Sequence, residues 1–142
     1  MHPLEELIEA SLGVLTQPLR DMGVVEVSAY GGEMRDAESL AMLENRLPVV
    51  YVMPLIDYEW SNRYYKTTGT IGVIAAARMT HASAGTPSVF EILTKTKELF
   101  SMQVVAAGWE KFILQAEKPF ASRPQFGLAA YVQEYQTRKV MG

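Results

Sequence analysis

Residues 47–58, LPVVYVMPLIDY, and residues 64–78, YYKTTGTIGVIAAAR, decide how this chain folds. Both runs are rich in β-branched and aromatic side chains and are separated by the polar patch Trp60–Arg63, so they predict two long strands joined as a hairpin with a wide tip. Pro48 suits the start of the first strand. Pro54 has no N–H for a ladder hydrogen bond, which predicts a bulge or an edge position there. Gly69 and Gly72 belong to no phosphate-binding loop, because no Gly-Lys-Ser/Thr follows; in a strand interior they permit a close approach.

Upstream, Leu4, Leu7, Ile8, Leu12 and Leu15 recur at helical spacing, predicting an amphipathic helix over 3–17 that Pro3 opens and Pro18 closes. Val24–Tyr30 reads as a strand ending at Gly31-Gly32, and Asp36 can cap a short helix over Ala37–Leu43 with Glu38 in its first turn. Downstream, Thr86 with Pro87, or Ser88 with Glu91 as a capping box, starts a helix that runs to about Met102. That helix should bury Val89, Phe90, Ile92, Leu93 and Phe100. A strand is predicted over Trp109–Ala116, a loop over Glu117–Gly127 and a last strand over Leu128–Thr137.

This order defines an α+β fold: a mostly antiparallel sheet of about five strands, with two or three helices packed on one face, in a single domain over residues 1–142. Several strands are apolar on both faces. A partner subunit is the economical cover for the second face.

Composition narrows the function classes. The 142 residues are 49% hydrophobic and include no cysteine, which excludes disulfide scaffolds, thiol nucleophiles and zinc ribbons. At this length one domain can bury about 68–70% of its unfolded surface. No run approaches the length of apolar sequence that spans a membrane, and the acidic start MHPLEELIEA is unlike a signal peptide, so a soluble, intracellular chain is expected. The net charge of −3 argues against nucleic-acid binding and conceals an asymmetry. Residues 1–59 carry eleven acids against three bases, whereas the remainder carries five acids against ten bases. If the fold keeps these halves apart, the molecule has an acidic and a basic side suited to head-to-tail association; if it interleaves them, the asymmetry cancels.

Signatures of catalysis are sparse. His2 sits in a terminus expected to fray, and His81 in a small-residue loop has no local partner for a metal pair or a Ser-His dyad. Glu5 and Glu9 share a helical face, where a helix N-terminus explains them better than acid–base chemistry. No metal or cofactor is expected. The most uneven stretch is 57–66, DYEWSNRYYK, which holds four of the fourteen aromatics. Tyr58, Trp60, Arg63, Tyr65 and Lys66 are therefore the candidate interface residues, since Tyr, Trp and Arg carry binding energy at protein contacts. Single-stranded nucleic acid could stack on the same rings, but Asp57 and Glu59 oppose it.

The run Val25-Glu26-Val27-Ser28-Ala29-Tyr30-Gly31-Gly32-Glu33, followed by Arg46-Leu47-Pro48-Val49-Val50-Tyr51-Val52, resembles the bacteriophage Mu-type tail terminator family. The likeness covers the first half of the chain by motif and the second by pattern and length. Pro54 and the aromatic hairpin depart from the family's pattern. The resemblance implies a tail-terminator-like fold and a non-enzymatic subunit of a homo-oligomeric ring, a hexamer, in the neck of the virion. The ring would cap the head-proximal end of the tail tube, stop its polymerisation and join it to the head–tail connector protein. DNA would only pass through the lumen, with Glu26, Glu33, Asp36 and Glu38 as acidic lumen candidates that keep it from sticking. Another connector or head-completion subunit, or a small enzyme built around His81, are the competing readings.

Overall fold

The structure is a computed structural model that describes residues 2–32, 46–55, 59–61, 66–80, 86–123 and 127–140, without the side chains of residues 59–61, 66, 67, 123 and 140. Helix α1 spans Pro3–Asp21, followed by strands β1 (Glu26–Ala29), β2 (Val49–Pro54), β3 (Glu59–Ser61) and β4 (Lys66–Arg78). Helix α2 (Val89–Phe100) precedes strands β5 (Ile113–Arg123) and β6 (Leu128–Val140). The predicted helix over 37–43 lies outside the described residues.

The fold is α+β, a mixed and mostly antiparallel sheet with two helices on one face. Its order is β1-β2-β4-β6-β5, with β3 pairing β4 beyond the end of β2. β1 and β2 run parallel and the other pairs antiparallel. The hairpin partners predicted from 47–58 and 64–78 are neighbours in register, Val50 opposite Ala75 and Pro54 opposite Ile71. Pro54 closes β2, where a missing donor costs least.

Helix α1 passes through Pro18 rather than ending at Gln17. Leu15 and Leu19 are both wholly buried, so continuing the helix for one more turn keeps the apolar stripe on the sheet and offsets the proline's lost hydrogen bond. The stop is Gly23, at φ 111°, a left-handed position that glycine adopts without steric cost. The Gly23 N–H donates to Arg20 O at 3.0 Å and the Val24 N–H to Leu19 O at 3.0 Å, the paired bonds of a Schellman motif, with Val24 buried beside Leu19. At the other end His2, placed by sequence in a terminus expected to fray, takes the N-cap position. Its Nδ1 accepts from the Leu4 N–H at 3.1 Å as the N-cap, with Pro3 as the first helical residue.

Of the two possible starts for α2, the chain uses the capping box. Ser88 Oγ accepts from the Glu91 N–H at 3.3 Å and Glu91 Oε1 accepts from the Ser88 N–H at 3.4 Å. Val89, Ile92, Leu93, Thr96 and Phe100 form its buried stripe. Phe90, expected inside, falls beside that stripe and is 45% exposed. The helix ends at Phe100.

The second-half strands differ most from expectation. β5 begins at Ile113 rather than Trp109 and continues through Pro119 to Arg123, where a loop was predicted. Two register shifts, at Leu114/Ala116 and Pro119/Ala121, absorb the proline, and β5 is an edge strand among the described residues, so Pro119 deprives no second neighbour of a donor. β6 runs on to Val140, pairing β4 along all thirteen residues of both strands.

Alternation divides the sheet into two apolar faces. Val50, Val52, Ile71, Val73, Ala75, Ala129 and Tyr135 face the helices together with Leu7, Leu15, Ile92 and Phe100. Val49, Tyr51, Ile74, Ala76, Leu128, Ala130 and Val132 form a second cluster on the opposite face, edged by Tyr30, Met53 and Phe120. Every residue of this second cluster is at most 2% exposed within the single chain. Its burial therefore does not require the partner subunit that the sequence suggested.

Candidate interaction surfaces

The interface residues predicted from the aromatic hairpin are only partly in view. Tyr58, Arg63 and Tyr65 lie outside the described residues, as do Glu33, Asp36, Glu38 and His81. Trp60 is the middle residue of β3, its backbone paired with Thr67, and Thr67 is paired in turn with Lys139 of β6. Lys66 opens β4 between Ser61 and Val140. The described part of the hairpin thus extends the sheet past β2, with β6 alongside. Glu26 lies on β1, where its carboxylate accepts from Arg46 at 3.0 Å and from Ser28 Oγ at 3.3 Å. A cation this close offsets the charge that a lumen-lining role would use.

Beside the hairpin, three residues from distant parts of the chain meet. Lys139 Nζ lies 2.9 and 3.1 Å from the two carboxylate oxygens of Glu6 and 5.7 Å from the centroid of the Trp109 ring. Gly69 makes room for them: a Cβ at that position would come within 3.0 Å of Leu7 Cδ1 and 3.2 Å of Leu4 Cδ2, with Trp109 next at 3.8 Å. The Lys139 hydrogen bond, opposed by burial and aided by the lysine's charge and the Trp109 indole, holds the Glu6 carboxyl below its ordinary value. The indole N–H makes no hydrogen bond of ordinary geometry. The close approach at Gly69 is legible in the sequence, but the Glu6–Lys139–Trp109 group is not, because partners 133 residues apart carry no local signal.

Under α2 a buried polar chain links the helix to the sheet. Tyr135 Oη donates to Gln133 Oε1 at 2.8 Å, and Gln133 Nε2 donates to Leu93 O at 3.0 Å. Glu117 accepts from Gln133 at 3.4 Å and pairs with Lys97. Burial, and secondarily the Glu117 charge, pushes the Tyr135 hydroxyl far above its usual range. Fully satisfied and anchored on a helix carbonyl, the chain fixes α2 in register.

Sheet order does not separate the charges of the two parts. β1 and β2 lie together at one edge and β6 and β5 form the other, but the one charged side chain described on β1 and β2, Glu26, is paired with Arg46, and Glu6 of α1 reaches across to Lys139 of β6. Arg46–Glu26 pairs within the first part, and Lys95–Glu98, Lys97–Glu117 and Lys118–Glu134 within the second. Lys139–Glu6 crosses between them. The two edges differ in apolar exposure: Val25, beside β1, is 62% exposed, and Ile113, which opens β5, and Met102 and Val104 before it are 42, 55 and 61% exposed.

Among the described residues no group of three or more His, Asp or Glu side chains is placed to hold a metal ion, and no helix is long and apolar enough to cross a membrane. An open groove of about 370 Å³ runs between Met22 at the end of α1 and Phe90, Glu91, Thr94, Lys95 and Glu98 of α2. No protein-family model matches the chain, and no curated protein matches it either.

Proposed function

We propose that this chain is a non-enzymatic structural subunit of a phage tail, assembling as a ring of identical copies, a hexamer, that caps the head-proximal end of the tail tube. In that role it terminates tube polymerisation and joins the tube to the head–tail connector in the virion neck. The observation that supports the reading is that the two edges of the sheet are unlike, with exposed Val25 beside β1 at one and exposed Ile113 on β5, with Met102 and Val104 near it in sequence, at the other. A ring needs heterologous contacts in which one face of a subunit meets a different face of the next, and opposed, unlike edges supply them. The resemblance of residues 25–33 and 46–52 to Mu-type tail terminators supplies the tail context.

The β3–β4 hairpin is assigned to the tail tube or a neighbouring subunit through Tyr58, Trp60, Arg63, Tyr65 and Lys66. Tails assembled with a Trp60→Ala, Tyr65→Ala double variant are expected to be of irregular length and poorly joined to heads. Normal length, capping and head joining with that variant would remove the hairpin from the account.

A further inference from the structure

The end of the sheet that carries the hairpin is held differently from its middle. β2 leaves β4 at Pro54, opposite Ile71, and beyond that point the neighbour of β4 on this side is β3, paired as Glu59–Thr68, Trp60–Thr67 and Ser61–Lys66. Among the described residues β3 has no second strand beside it, so its place depends on where residues 66–68 of β4 lie. Those residues are held from the other side by residues 138–140 of β6. On the far side of β6, Trp109 bridges Lys139, the Glu110 N–H donates to Arg138 O at 2.8 Å and Thr137 Oγ1 donates to Glu110 O at 2.7 Å. One backbone row, Trp60–Thr67–Lys139–Trp109, therefore crosses this end of the sheet.

The apolar core thins out before that row. On the helix face β4 places Ile71 and then Gly69, β6 places Tyr135 and then Thr137, and Leu4 and Leu7 close over Gly69. One pair further on, the sheet is joined to the helix by Lys139, which sits on the Glu6 carboxylate and over the Trp109 ring. The floor of that contact is prepared locally. Gly108, at φ 83°, turns the chain, the Trp109 N–H donates to Ala106 O at 3.1 Å, and Trp109 is left only 4% exposed. Charge pairing, a cation over a ring and the lysine stem thus stand in for core packing at the row that β3 extends.

We propose that Glu6, Lys139 and Trp109 are positioning residues for the β3–β4 hairpin, tying the end of the sheet to α1 so that the hairpin is held in place for its contact. The inference rests on the reading of the hairpin as a contact with the tube or a neighbouring subunit for what the positioning serves; the positioning itself is a property of the free chain. Residues 59–61, 66–68 and 138–140 then open as one unit.

Amide hydrogen exchange of the free full chain, read residue by residue by NMR, tests this. Lys139→Met keeps an unbranched stem on the ring but loses the charge. Amides of residues 59–61 and 138–140 should then exchange faster together, by about three- to tenfold, while those of residues 26–29 at the opposite edge keep the parent rate. Glu6→Gln should act in the same direction by about twofold. Lys139→Arg retains both the ion pair and the contact with the ring, and should show parent rates. Parent rates at residues 59–61 in Lys139→Met, equal acceleration at residues 26–29, or a Lys139→Arg variant as fast as Lys139→Met overturns the positioning role. Normal tails with the Trp60→Ala, Tyr65→Ala double variant would instead remove the hairpin contact, whatever the exchange rates of the free chain.

Discussion

Lys139 Nζ lies 2.9 Å from Glu6 Oε2, an ion pair that ties the last strand of the chain to its first helix over the ring of Trp109. Because the pairing lowers the carboxyl below its ordinary 4.5, the folded state binds this proton less tightly than the unfolded state. The stabilisation is therefore present above the unfolded value and lost as pH falls through the folded one. Both side chains are partly in water, so Glu6→Gln should cost only about 0.5 kcal/mol at pH 7. Thermal unfolding of parent and variant, followed from pH 7 down to about pH 3, should show the difference disappear.

At Gly69 the side chains of Leu4 and Leu7 of α1, with Trp109 behind them, lie directly against the sheet backbone. A valine there has to displace the wholly buried Leu7, so Gly69→Val should destabilise by about 1–3 kcal/mol, with Gly69→Ala milder. Denaturant midpoints at constant m-value check this. An unchanged midpoint for the valine variant would mean that the helix is not held at that distance.

Tyr135 is expected to stay protonated far into the alkaline range. Since its folded value lies above the unfolded value of 10.0, the contribution is present below about pH 10 and is lost as pH rises further. Absorbance titrations of the parent and of Tyr135→Phe should differ by a tyrosine that ionises only with unfolding. Tyr135→Phe leaves Gln133 Oε1 without its donor and should cost about 1–2 kcal/mol.

Pro18 interrupts the hydrogen bonding of α1 without ending it. Pro18→Ala restores an N–H within a helix already held by Leu15 and Leu19, and a gain of about 1–3 kcal/mol in unfolding free energy is expected. Helix-region hydrogen exchange should slow in the same variant. Loss of stability would show that the proline ring's packing outweighs the missing bond.

Where local chemistry alone decides an element, the sequence was readable. Pro3, Ser88 with Glu91, and the paired runs around Val50 and Ala75 placed the helix starts and the central antiparallel pair correctly. Gly69 and Gly72 were recognised as close-approach positions, and Cβ atoms there would crowd Leu7 and Met53. Where tertiary packing overrides local preference, the reading failed: Leu19 draws α1 through Pro18, and bulges carry β5 through Pro119. Helical spacing gives the direction of a stripe more reliably than its width, which is why Phe90, expected inside, lies beside the stripe. Glu6, Trp109 and Lys139 depend on long-range placement, which has no residue pattern to announce it. Of the hairpin candidates, only the backbone positions of Trp60 and Lys66 are placed.

Electron microscopy of tail tubes assembled with this chain tests the central claim most directly. The account predicts a ring of the chain coaxial with the tube at its head-proximal end, and tubes of uncontrolled length when the chain is omitted. Tubes of normal, capped length in its absence, or the chain located away from that end, would contradict it.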